Sequence, residues 1–177
     1  MSTAALGQVT LGYQLIWNAL RQVAGVQLFI AANDSERVDT PPLLQALAQA
    51  WPKDAPQLLL SPTSPELLGD VLTQAWANGP WIEVQDTHAH EPYVIERVFK
   101  AHQRGVKLVW RGEPGSWPST ALAACFARPI VTLTPEEALT ALRASLRRHN
   151  GESSGSTRHV NSPVVAGYIY ESVASRA

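Results

Sequence analysis

The chain has 177 residues, with 14 Lys and Arg against 15 Asp and Glu for a formal charge of −1, and 45% of its residues are hydrophobic. That length suits one domain with a sizeable core, and the balanced charge leaves no electrostatic footprint for a nucleic acid polymer or an anionic membrane as partner. The single Cys125 allows no disulfide within the chain, no leader pattern is visible, and no apolar run approaches the ~20 residues that span a bilayer, which makes the cytoplasm the expected compartment.

Short β-type runs alternate with helical patterns along the chain. Val9 to Trp17 and Val26 to Ala32 flank a polar turn and predict a hairpin. Thr40-Pro41-Pro42 opens a helix, with Thr40 as its cap, that Pro52 ends. Gln57 to Leu60 reads as a buried strand. Ser64-Pro65-Glu66 starts a helix with Leu67, Leu68, Val71, Leu72 and Ala75 on one face. Trp81 to Gln85 is the next strand. A helix follows from Glu91-Pro92, with Tyr93, Val94, Ile95, Val98, Phe99 and His102 as its apolar face and Gly105 at its C-terminal cap.

Val106 to Trp110 is then a strand, so Arg111 and Gly112 fall just past its end, where a parallel sheet presents its chemistry. A short helix over Ser119 to Phe126 leads into a strand over Ile130 to Leu133. Thr134-Pro135-Glu136-Glu137 has the form of a capping box and starts a helix that reaches about Arg148. Residues 150–162 form a polar loop or linker rich in Ser and Gly. Pro163 to Tyr170 is a last β-type run. Residues 1–149 therefore read as one α/β domain and 163–177 as its last strand and the start of a junction. About seven strands and five helices predict a mainly parallel sheet.

Several side chains invite chemical readings. His88 and His90, with Glu83 before them, have the types that hold a borderline metal past a strand end; helix capping or plain solvation accounts for them as well. Cys125 sits in an apolar run and reads as a small buried hydrophobe. Trp81 and Trp110 are placed to fill a barrel interior or its mouth. Trp117, in a loop between Ser116 and Pro118, suits either edge packing or a protein interface. Gly112-Glu113-Pro114-Gly115 lacks the Lys-Ser/Thr of a phosphate loop and reads as a turn.

In order along the chain, Tyr13-Gln14-Leu15-Ile16, Gly25-Val26-Gln27-Leu28-Phe29, Leu58-Leu59-Leu60-Ser61-Pro62, Ile82-Glu83-Val84-Gln85-Asp86, Trp110-Arg111-Gly112 and Gly167-Tyr168-Ile169 resemble the strand motifs of EAL-type cyclic di-GMP phosphodiesterase domains. The resemblance implies an incomplete or shortened TIM-barrel-like (β/α) fold. Its last motif looks like the junction to an HDOD domain in bacterial signal-transduction proteins. Two family units between Arg148 and Pro163 are missing or shortened.

The same resemblance maps the family's metal ligands onto Gln27, Leu59, Glu83, Arg111 and Gly112. Only Glu83 keeps an anionic oxygen there. Gln27 is a neutral amide, Leu59 has no lone pair, Arg111 brings a positive charge, and the family's lysine is absent near Val131 or Thr132. A divalent cation needs several oxygen ligands, mostly anionic. The expectation is a degenerate, non-catalytic domain with no cofactor and no tight cyclic di-GMP binding. It would act through a protein partner, a following domain or a homodimer. The alternative is a metal-dependent hydrolase or phosphodiesterase built on Glu83, His88 and His90. Three roles stay open for Glu83: a partner for Arg111, a solvated strand-end charge, or a ligand.

Overall fold

A computed structural model describes residues 7–143, apart from 19, 21, 34–37, 114, 135, 138, 141 and 142. The described strands are β1 (Val9–Trp17), β2 (Val23–Ala32), β3 (Gln57–Pro62), β4 (Trp81–Gln85), β5 (Leu108–Gly112) and β6 (Phe126–Val131). The described helices are α1 (Thr40–Ala50), α2 (Pro65–Gln74), α3 (Pro92–Gln103) and the single turn α4 (Thr120–Ala123), with a 3-10 turn at His88–His90. The strands form one six-stranded sheet in chain order. β1 and β2 are the predicted antiparallel hairpin, and every later neighbour is parallel. The fold is therefore α/β with a mainly parallel, open sheet. The linker 150–162 and the expected strand over residues 163–170 lie outside the described residues.

The described helices make a single layer. Leu43, Leu44, Leu68, Val71, Leu72, Val94, Val98 and Ala101 share one core with Ile30, Leu58, Leu60, Ile82, Val84, Leu108 and Trp110. Strand side chains alternate between faces. The residues between them in sequence, Gln27, Leu59, Ser61, Glu83, Val109 and Arg111, therefore share the opposite face. Consecutive strand order with all crossover helices on one side is the singly wound arrangement of β/α units, not the doubly wound one.

Local signals explain most element boundaries. Ser64 caps α2 by accepting from the Leu67 N–H at 3.2 Å, with Pro65 at the first position. Gly105 ends α3 at φ 81°, a left-handed conformation that glycine adopts without steric cost. The Thr134–Glu137 capping box is formed in both directions, Thr134 N to Glu137 Oε2 at 2.8 Å and Glu137 N to Thr134 Oγ1 at 3.3 Å.

Other boundaries differ from expectation. Thr40 is the first residue of α1, and Asp39 precedes it as a cap without a side-chain bond. β5 begins two residues late and runs through Gly112, because Arg111 pairs with Gln85 on one side and Ile130 on the other. Arg111 and Gly112 thus belong to the strand rather than to the loop after it. The helix expected to reach Phe126 stops at Ala123, and Phe126 opens β6 opposite Leu108. Pro129 is tolerated in β6, the edge strand among those described. On α3, Val94, Val98 and Ala101 face the core, while Phe99 and His102 are exposed; the i, i+4, i+7 spacing decides this.

Trp110 corrects a further expectation. It packs within the helix-side core, edge-on to Phe126 at 5.2 Å between ring centroids, and not on the opposite face. Trp81 is half-buried beneath the Arg128 guanidinium, 5.5 Å from its ring centroid. Cys125 is buried, as its apolar surroundings predict.

Candidate functional site

Four adjacent strands bring Gln27, Ser61, Glu83 and Arg111 together on the sheet face turned away from the helices. Gln27 and Ser61 are 0% exposed and Glu83 is 1% exposed. Leu59 and Val109 pack beside them as register partners of Gln27 and Glu83, buried yet outside the helix-side core. A polar cluster so fully removed from water must be satisfied internally or it would cost several kcal/mol.

Gln27 is the hub. Its Nε2 donates to Ser61 Oγ at 2.7 Å and to Glu83 Oε2 at 2.8 Å. Its Oε1 accepts from Gln14 Nε2 at 2.7 Å and from Arg111 Nη2 at 3.1 Å. The amide thus uses both its donors and both its acceptor sites. A carboxylate in its place has no proton to donate and would leave Ser61 and Glu83 unserved.

Glu83 and Arg111 form the charged half of the cluster. Arg111 Nε lies 2.9 Å from Glu83 Oε2, although its N–H does not align as a hydrogen bond. Glu83 Oε1 is buried without a hydrogen-bond partner among the described residues. Burial raises the Glu83 pKa above its usual value, against the lowering effect of the Arg111 charge and of the neighbouring polar groups of Ser61 and Gln85. Of the three open roles for Glu83, pairing with Arg111 is the one present. A solvated strand-end charge is ruled out by its burial.

Gly112 has a separate role on the helix-side face. A Cβ there would meet Ser116 Oγ, the indole Nε1 of Trp110 at 3.0 Å and Asp86 Oδ2 at 3.1 Å. The glycine lets β5 pass this close to the loops after β4 and β5. The metal-ligand reading of the five mapped positions does not fit a cation. Gln27 spends its oxygen on two donors, Leu59 offers none, Arg111 carries the positive charge itself, and Gly112 has no side chain.

The histidine alternative is not gathered at one place. His88 is buried, with Nδ1 lacking a partner among the described residues, while His90 is exposed. Burial lowers the His88 pKa, partly opposed by the nearby charges of Glu66 and Asp86. Among the described residues no three His, Cys, Asp or Glu side chains stand close enough to hold a metal ion. Trp117 is 53% exposed. A cleft of about 340 Å³ between Trp51 and Trp76 opens at the amino ends of β3 and β4; ligands of open parallel sheets bind at the carboxyl ends instead.

Gln14 and Ser61 were not singled out from the sequence. The available signal was a lone polar residue inside an apolar strand, in Tyr13-Gln14-Leu15 and Leu60-Ser61-Pro62. No helix among the described residues is long and apolar enough to cross a membrane. No family model matches the chain, and no curated protein matches it.

Proposed function

We propose that this chain is a degenerate EAL-like module, a shortened TIM-barrel-like domain that has lost its metal site and acts in signalling as a non-catalytic scaffold. The observation that carries the reading is the state of Glu83. Its Oε2 is held by the Arg111 guanidinium and by the Gln27 amide, so the one mapped carboxylate is committed to an internal cation. A fixed guanidinium supplies the counter-charge that a divalent ion would otherwise supply. Metal-assisted hydrolysis needs a cation that polarises the phosphate or activates water, and these positions offer it a single carboxylate, already paired with Arg111. The one-layer order of helices over a mainly parallel sheet in chain order also supports the architecture.

The reading is tested by incubating the purified chain with cyclic di-GMP in Mg²⁺ or Mn²⁺ and by titrating the dinucleotide calorimetrically. The expected results are no turnover above a buffer blank and no binding at micromolar concentrations. Turnover that disappears in Glu83→Ala, or micromolar affinity, would overturn it.

A further inference from the structure

We propose that β1 is a self-association edge, through which two copies of this chain pair their first strands antiparallel about Tyr13. The proposal rests on the reading of the chain as an association module and names the partner. β1 is an outer strand of the described sheet. Its pairing with β2 is regular from Val9 to Ile16, with no bulge before Ile16/Trp17. Its sequence, VTLGYQLIW, contains no charge and no proline. Natural edge strands are usually blunted by a charge, a proline or a bulge, and β1 has none of these along its regular stretch.

The exposed side chains of β1 are arranged symmetrically. Gln14 points into the polar cluster, so Leu11, Tyr13 and Leu15 lie on the helix-side face. The helix layer does not cover them: Tyr13 is 75% exposed, and Leu11 and Leu15 on either side of it are each 40% exposed. Leu-x-Tyr-x-Leu is a palindrome centred on Tyr13. A two-fold axis there sets Tyr13 against Tyr13 of the second copy and Leu11 against its Leu15. In an antiparallel pair such directly opposed side chains have Cβ atoms about 4.5–5.5 Å apart.

Charge also selects this occupant. Between Gly7 and Asn33 the only charged residue is Arg21. An isologous interface sets the residues at its two-fold axis against their own symmetry mates, so a charge at its centre would repel itself. A nearly uncharged hairpin suits a copy of itself and gives an acidic, basic or nucleic acid partner nothing to read. Pairing of the two β1 edges also gives their outward backbone N–H and C=O groups partners within the interface as water leaves it.

Sedimentation velocity on the full chain over a micromolar concentration series tests the proposal. Wild type is expected to be a dimer. Tyr13→Lys and Tyr13→Glu should each dimerise at least tenfold more weakly, with unchanged circular dichroism because the side chain is exposed. An equimolar mixture of the two variants should dimerise again, since Lys then faces Glu across the axis. A monomeric wild type, variants that dimerise alone as well as wild type, or a mixture that stays monomeric would each overturn the pairing about Tyr13. The outcome is separate from the catalytic reading: a silent monomer sinks only the dimer, and a dimer that turns over cyclic di-GMP sinks only the silence.

Discussion

Arg111 Nε and Glu83 Oε2 stand 2.9 Å apart across two adjacent parallel strands, with the Glu83 side chain wholly buried and that of Arg111 12% exposed. Their backbones are not register partners; Glu83 lies opposite Val109, and Arg111 opposite Gln85. The long arginine side chain reaches diagonally back along the sheet. In doing so it also meets Gln27, two strands beyond β4 in the sheet. Pairing at this depth gives the ionised carboxyl a counter-charge that solvent cannot supply.

Removing one partner should therefore be costly. Arg111→Ala leaves a buried, uncompensated carboxylate and is expected to lower stability by about 3–5 kcal/mol. Replacing both members, Glu83→Leu with Arg111→Met, should recover most of that loss, since a well-packed apolar pair can be neutral or better. Urea unfolding of wild type, single and double variants measures this. A double variant no more stable than the single would show that the ion pair is not the element that matters.

Restoring a carboxylate at the hub should not restore a working site. Gln27→Glu removes both donated hydrogen bonds and sets a negative charge at the position now 2.8 Å from Glu83 Oε2. The expected loss at neutral pH is at least ~2 kcal/mol, shrinking in acid as one of the two carboxyls protonates. Thermal unfolding at pH 7 and pH 4 checks both parts, and a variant as stable as wild type at pH 7 would contradict the network.

The raised pKa of Glu83 gives a signed pH dependence. Burial makes the folded state hold this proton more tightly than the unfolded chain, whose carboxyl titrates near 4.5. The contribution of Glu83 to stability is then fully present below that value and is lost as pH rises through the folded pKa. Wild type should thus lose ground relative to Glu83→Gln between about pH 4 and pH 7 in matched urea titrations. The opposite slope would mean that Arg111 outweighs desolvation.

Gly112 should tolerate no side chain. Its missing Cβ leaves room for Ser116, Trp110 and Asp86, and Gly112→Ala is expected to cost roughly 1–3 kcal/mol by overpacking. Gly112→Asp adds a like charge beside Asp86 and should cost more. Equal melting temperatures for wild type and Gly112→Ala would refute the close approach.

Much of the architecture could be read without coordinates. Strand and helix order, the first hairpin, the Ser64 cap and the Thr134–Glu137 capping box all rest on residues within a few positions of one another. The hydrogen bonds of caps and turns are local, and the period-two and period-3.6 patterns record which face is buried. Boundaries set by neighbours were less legible. β5 extends to Gly112 only because β4 and β6 are there to pair with it, and Phe126 leaves its expected helix to face Leu108.

The polar cluster as a whole belongs to the tertiary structure. The sequence leaves the pairing of Glu83 with Arg111 open as one of three roles for Glu83, but Gln14 and Ser61 each look like an isolated residue on its own strand, and nothing local joins them to Gln27. The parallel register decided that Gln27, Ser61, Glu83 and Arg111 share a face, since a shift of one residue on any strand would turn its side chain to the other side. Depth then decided their chemistry. At the surface these four groups would each hydrogen-bond to water, whereas buried together they have chiefly one another to satisfy their charges and hydrogen bonds.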